Sequence, residues 1–97
     1  MSIHNFDLLR QQVPSVIQQM DPEFNSHEFI LELARQNQTL YVEALYAYRE
    51  KNPFQVVHMQ LATMLHDFKD LVHKIGDDPD SPDIWTNSKG CSRWKKN

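Results

Sequence analysis

The chain is poor in the residue types that most often reveal a protein's chemistry. Cys91 is the single cysteine among 97 residues, which excludes an internal disulfide and a zinc site built from several cysteines. Gly76 and Gly90 are the only glycines, which excludes a glycine-rich phosphate-binding loop. No apolar run approaches the ~18 residues that suggest a membrane span, so we expect no membrane association.

A strong excess of charge of either sign is also absent. Ten Lys and Arg residues stand against thirteen Asp and Glu residues, which gives a net charge of −3. No overall field therefore draws the chain to nucleic acid or to an acidic membrane surface. The first residues lack the basic stretch and apolar run of a signal peptide. We expect one soluble domain with a modest core, located in the cytoplasm.

The strongest pattern lies between Pro53 and Ile75. Apolar residues recur there at alternating three- and four-residue spacing over three heptads, at Phe54, Val57, Leu61, Met64, Leu65, Phe68, Leu71, Val72 and Ile75. Asn52 and Pro53 are typical of a helix start, and Gly76 is typical of a helix end. The pattern predicts one straight helix that packs one face against other helices.

Two further helices are predicted before it. Residues 5–20 carry an apolar stripe that continues in phase through Pro14, which predicts either one kinked helix or two short collinear ones. The next helix begins at Asn25 or Ser26, where Glu28 completes a capping box, and it ends by Lys51. Asn37 falls in the middle of the core face of this helix. Its position is compatible with a buried, hydrogen-bonded asparagine and with a break in the helix.

The chain changes character after Gly76. Four aspartates alternate there with prolines and a serine, which is typical of an extended acidic linker, and the last nine residues are basic. We therefore predict an all-α fold, a small antiparallel three-helix bundle over residues 1–76 with an irregular C-terminal tail. The tail, residues 77–97, belongs to the same single domain and partly packs back on the bundle through Trp85.

Histidine is frequent, but its positions suggest no catalytic centre. His66, Asp70 and His73 could share one side of the predicted third helix, which makes them weak candidates for a zinc or other transition-metal site. The two histidines would lie about 10 Å apart along the helix axis, so one metal ion would need other ligands. Cys91 has no histidine or carboxylate base in its own segment. We therefore predict a non-enzymatic protein without metal or cofactor.

Nucleic-acid binding is the alternative function that the sequence leaves open. Leu61–Leu65, followed by Val72 and Gly76, resembles the apolar skeleton of a bacterial helix-turn-helix, which implies a recognition helix over Lys69–Ile75. His66 stands where the turn glycine is usual in that motif. Contacts would come from the third helix or from the basic tail, through Lys69, His73, Lys74, Lys89, Arg93, Trp94, Lys95 and Lys96.

One stretch is more apolar than a surface helix requires. Between residues 40 and 48 Glu43 is the only polar residue, and Val42 and Tyr46 lie one turn apart, away from the core stripe. Tyrosine is favoured at protein interfaces because it buries a large ring and keeps a polar tip. We therefore predict a protein-interaction module that self-associates, most simply as a dimer. The alternatives are that this face is buried by another protein or by Ile84 and Trp85 of the tail.

Overall fold

The computed structural model describes residues 6–82 and 89–97. In this part of the chain the helices are α1 (Asp7–Gln19), α2 (Ser26–Gln36), α3 (Gln38–Ala47) and α4 (Pro53–Met64), and the strands are β1 (Glu23–Asn25), β2 (Val72–Pro82) and β3 (Lys89–Lys96). A 3₁₀ turn, Leu65–Asp67, follows α4 directly. The strands form one antiparallel sheet. The fold is therefore α+β, and the predicted all-α three-helix bundle is wrong.

The first two helices follow local sequence signals. α1 runs through Pro14 as one helix rather than two short ones. The capping box at the start of α2 is confirmed, since Glu28 N donates to Asn25 Oδ1 and Asn25 N donates to Glu28 Oε1, both at 2.8 Å. The long second helix divides at Asn37, whose side chain donates to the Leu33 carbonyl oxygen at 3.1 Å. Of the two alternatives at Asn37, the break is the one that occurs.

The helix predicted over residues 53–75 is the main error. α4 ends at Met64, and after the 3₁₀ turn the backbone of Phe68, with φ −113° and ψ 50°, leaves the helical region. From Val72 the chain is extended, with an irregularity in the ladder between Lys74 and Gly76. The apolar spacing suits a helix, but the segment instead pairs with β3 over residues 72–74 and 76–78, and Val72 is buried. Gly76 consequently lies inside a strand and caps no helix.

The supposed basic tail is the central strand of the sheet. The strand order is β1-β3-β2, and Trp94 of β3 lies opposite Phe24 of β1 and Lys74 of β2. Acidic and basic stretches that look separate in the sequence face each other across strands. The Arg93 guanidinium lies 3.6 Å from an Asp78 carboxylate oxygen and 3.5 Å from one of Glu23. The predicted irregular tail is therefore wrong for residues 77–82 and 89–97, while the contact predicted through Trp85 lies outside the described residues.

One hydrophobic core joins the helices to the sheet. α1 contributes Leu9, Val13, Val16 and Ile17, and each later helix adds its own buried face. The apolar side chains that the sheet contributes to this core are Phe24, Val72 and Trp94. Residues on both sides of position 76 thus share the same core. In the described residues no helix has both the length and the apolar character that crossing a membrane requires.

Candidate functional site

The outer face of α3 carries the most exposed large apolar side chain in the described residues. Tyr46 is 65% exposed, and Val42, one turn earlier, is 59% exposed. Tyr41 and Ala44, on the opposite side of the same helix, are buried. The Arg49 guanidinium lies 4.3 Å from the centre of the Tyr46 ring and donates a hydrogen bond to the Tyr46 carbonyl oxygen at 3.1 Å. We call Val42, Tyr46 and Arg49 the α3 outer face.

The three candidate metal ligands are distributed over different structures. His66 lies in the 3₁₀ turn, with its ring edge-on to Trp94 and the centroids 5.0 Å apart. Asp70 lies in the turn before β2. His73 lies on β2, where its Nδ1 is 2.6 Å from the Asn97 side-chain oxygen. Within residues 6–82 and 89–97, no group of three or more His, Cys, Asp or Glu side chains is arranged to hold a metal ion.

Most of the candidate nucleic-acid contacts have structural partners. Trp94 is 3% exposed, so its ring cannot stack on a base without opening the core. Arg93 is paired with Glu23 and Asp78, as described above. The Lys96 ammonium donates to the carbonyl oxygens of Gln18 and Met20, at 3.1 and 2.7 Å. Arg93 and Lys96, two of the β3 cations predicted to bind phosphate, therefore bond to groups of the protein itself.

The remaining candidates are not on a helix. Lys69 lies in a turn, and His73 and Lys74 lie on β2, so the recognition helix implied by the helix-turn-helix resemblance is not formed. Lys74 is paired with Asp77, with 3.3 Å between ammonium nitrogen and carboxylate oxygen. Lys95 is exposed on β3. Lys89 begins β3, and its side chain lies outside the described part of the structure.

A cleft of about 830 Å³ opens between the start of α2, one side of α4 and the first residues of β3. Its apolar lining comes from Ile30, Phe54, Met59 and Ala62, and its polar lining includes Ser26, His27, Gln55, His58, Cys91 and Ser92. Met59 is 59% exposed and Phe54 is 40% exposed. Among the described residues, no Asp, Glu, Lys or Arg side chain lines the cleft. The described part of the lining is thus uncharged and largely apolar.

Two histidines stand in the cleft wall with different surroundings. The His58 ring stacks on Tyr41 with its centroid 5.8 Å away, and its Nε2 lies 2.6 Å from the Tyr41 hydroxyl oxygen. The Phe54 ring lies 6.0 Å from His58 on α4. His27, in the first turn of α2, is held through Nδ1, which lies 3.3 Å from the Ser81 hydroxyl oxygen of β2. Both rings are thus fixed by contacts between different elements.

Sequence reasoning missed this cleft because its walls come from distant parts of the chain. Taken separately, His27 reads as an exposed first-turn residue, His58 as a packed or rim histidine, and Cys91 as part of a tail. Pairing of β3 with β1 and β2 brings Cys91 beside α2 and α4. No local spacing of residues signals that arrangement.

A polar network next to the cleft joins the start of α2 to β2. The side-chain nitrogen of Asn25, Nδ2, donates to an Asp78 carboxylate oxygen at 3.0 Å and to the Ser81 hydroxyl oxygen at 3.2 Å. Asn25 is 6% exposed, so these bonds satisfy a buried amide. The network has a structural purpose, which is to hold β2 against the capped end of α2.

The chain was also compared with proteins that are already known. No protein-family model, no curated protein and no solved structure matches it.

Proposed function

We propose that the chain is a non-enzymatic protein-interaction module of the cytoplasm that forms a homodimer through the α3 outer face. The observation that carries the proposal is the pair of exposed side chains at Val42 and Tyr46, on a helix that already buries Tyr41 and Ala44 on its other side. A helix that is apolar on both sides is typical of one that is covered on both sides. The single thiol of the chain is compatible with a reducing compartment.

The residue types at this face are those that dominate binding energies at interfaces. Tyrosine and arginine are enriched among the residues whose truncation weakens a complex most. Stacking over Tyr46 already orders the Arg49 side chain, which reduces the entropy lost when a partner binds. Burial of Val42 and Tyr46 would contribute roughly 1.5–3 kcal/mol for each side chain that is fully buried, before ordering costs.

A second copy of the chain is the partner that suits this face best. In a twofold contact every favourable interaction occurs twice, and an antiparallel crossing of two α3 helices places Tyr46 of one copy over Val42 of the other. The face contains Arg49, and Glu43 lies beside it on α3, so the two charges have opposite signs and two copies of the face do not repel each other.

The open edge of β2 is a poorer surface for association. Pro79 has no backbone N–H to donate, and the ladder irregularity between Lys74 and Gly76 bends the strand. Asp77 and His73 are exposed on the same strand. Proline, charge and bulges are the features by which natural edge strands avoid pairing with other chains.

Nucleic-acid binding, the alternative, has weaker support from the geometry. α4 replaces the first half of the helix on which this alternative depends, and its exposed side carries Gln55, Gln60 and Thr63 but no lysine or arginine. A helix without cations provides no phosphate contacts, which supply most of the affinity in complexes with DNA or RNA. The partners of Arg93, Lys96 and Trp94 described above weaken the alternative further.

Sedimentation velocity tests the proposal with one charged substitution. We expect the wild-type chain to dimerise within a range of about 1 µM to 1 mM, and Tyr46→Glu to remain a folded monomer because it places a charge in an apolar contact. Leu8→Glu is the matched control, since Leu8 is 56% exposed on α1. A wild-type monomer throughout this range, or equal dissociation by both substitutions, would contradict the proposal.

A further inference from the structure

We propose that the cleft between α2, α4 and β3 binds a small, uncharged and largely apolar molecule that carries one hydrogen-bonding group. The inference does not rest on the α3 outer face, because the two surfaces share no residue.

The size and lining of the cleft define the class of ligand. Its volume of about 830 Å³ lies within the roughly 300–1,000 Å³ that is usual for sites that take small organic molecules. Ile30, Met59 and Ala62 provide aliphatic contact area from two different helices, and methionine adapts its shape to an irregular ligand. A charged ligand would lose hydration here without meeting an opposite charge in the described lining.

His27 provides the polar contact. Its Nδ1 is engaged with Ser81, whereas its Nε2 has no hydrogen-bond partner in the described part of the chain. In one tautomer Nε2 accepts a hydrogen bond, and in the other it donates one, so a ligand hydroxyl group can bond to either form. The Ser26 hydroxyl is less suited to this role, because its proton is donated to the Ser92 carbonyl oxygen and it already accepts from Trp94 Nε1, which leaves one acceptor position.

Cys91 makes occupation of the cleft measurable. It lines the cleft, it is partly exposed, and it is the only cysteine in the chain. A reagent that alkylates thiols therefore modifies one site, and a molecule lying against that site slows the reaction. The rate of Cys91 alkylation reports binding without a labelled ligand.

The experiment measures alkylation of Cys91 by N-ethylmaleimide in the presence of 2-naphthol, an uncharged planar probe with one hydroxyl group. We expect saturating 2-naphthol to slow the reaction at least about fivefold, because a ligand in such a site buries most of its surface against the protein. Naphthalene, which lacks the hydroxyl group, should protect less well than 2-naphthol in the wild type. Alkylation of glutathione under the same conditions controls for any reaction between probe and reagent.

Two variants locate the probe. Met59→Lys introduces a charge into the lining at a position that is 59% exposed, so the fold is retained and protection by 2-naphthol should be lost. Leu8→Lys is the matched control at a similarly exposed position on α1, outside the cleft, and it should leave protection unchanged. His27→Leu should abolish the preference for 2-naphthol over naphthalene.

Three results would overturn the inference. The first is an unchanged alkylation rate up to the solubility limit of 2-naphthol. The second is equal protection in Met59→Lys and the wild type. The third is loss of protection in Leu8→Lys, which would show that the effect of a lysine at position 59 is not specific to the cleft. None of these results bears on dimerisation, which sedimentation measures separately.

Discussion

The indole N–H of Trp94 donates a hydrogen bond to the Ser26 hydroxyl oxygen at 3.0 Å. Ser26 in turn donates to the Ser92 carbonyl oxygen at 3.4 Å, so one hydroxyl group links the first residue of α2 to two residues of the central strand. Trp94 and Ser26 are only 3% and 5% exposed, so bulk water has little access to either bond. The bond fixes the orientation of the largest side chain that the sheet contributes to the core.

Ser26→Ala should therefore destabilise the fold by about 1–3 kcal/mol, because it leaves a buried indole N–H without an acceptor. Ser15→Ala is the control, since Ser15 is exposed on α1 and its loss should cost less than about 0.5 kcal/mol. Urea denaturation followed by circular dichroism measures both free energies of unfolding. Similar values for the two variants would show that the bond contributes little.

Lys96→Met should weaken the connection between β3 and the end of α1. The Lys96 ammonium bonds to two carbonyl oxygens at the C-terminal end of that helix, where the helix dipole favours positive charge. We expect a loss of about 0.3–2 kcal/mol in the free energy of unfolding. Lys95→Met changes the neighbouring exposed lysine on the same strand and should have a smaller effect. Equal losses would mean that only net charge matters at this end of the strand.

Removal of residues 88–97 should abolish cooperative unfolding. On the sequence alone this segment is a separable tail, so truncation after Asn87 would test nucleic-acid binding by the tail. In the structure the truncation removes the central strand and Trp94, which leaves β1 and β2 without a common partner. We expect the truncated chain to lack a sigmoidal denaturation curve and to expose apolar surface to a hydrophobic dye. A truncated chain with an intact transition would show that the helices fold without the sheet.

Local signals predicted the helices in the first half of the chain well, but not β1, which forms by pairing with β3. The capping box at Asn25, the helix through Pro14 and the alternatives at Asn37 depend on residues within one or two turns of each other, and the structure follows them. The prediction failed after Met64, where the apolar spacing alone favours a helix. The strand forms there by pairing with β3, as in the pair of Val72 and Lys96, and no local pattern records a partner so distant in the sequence.

The candidate sites also differ in whether local sequence or strand pairing determines them. The exposure of Val42 and Tyr46 follows from helical periodicity within α3, so the sequence was sufficient to place them on an outer face. The metal and nucleic-acid candidates after residue 65 were placed on a helix that is absent, and their geometry changed with it. The cleft combines His27, His58 and Cys91 from three elements, so it could be recognised only after the strands were paired.

The position of β3 at the centre of the sheet has a consequence for synthesis on the ribosome. The central strand, β3, is the last of the three strands to be translated. β1 therefore has no partner in the sheet until β3 has emerged from the ribosome. The nascent chain therefore holds Phe24 and Val72 without the Trp94 side chain that completes their cover. Local helices form early, whereas contacts between distant segments form late and leave apolar surface open to aggregation meanwhile. A pause in translation shortly before β3 would prolong this vulnerable interval, and a pause after it would not.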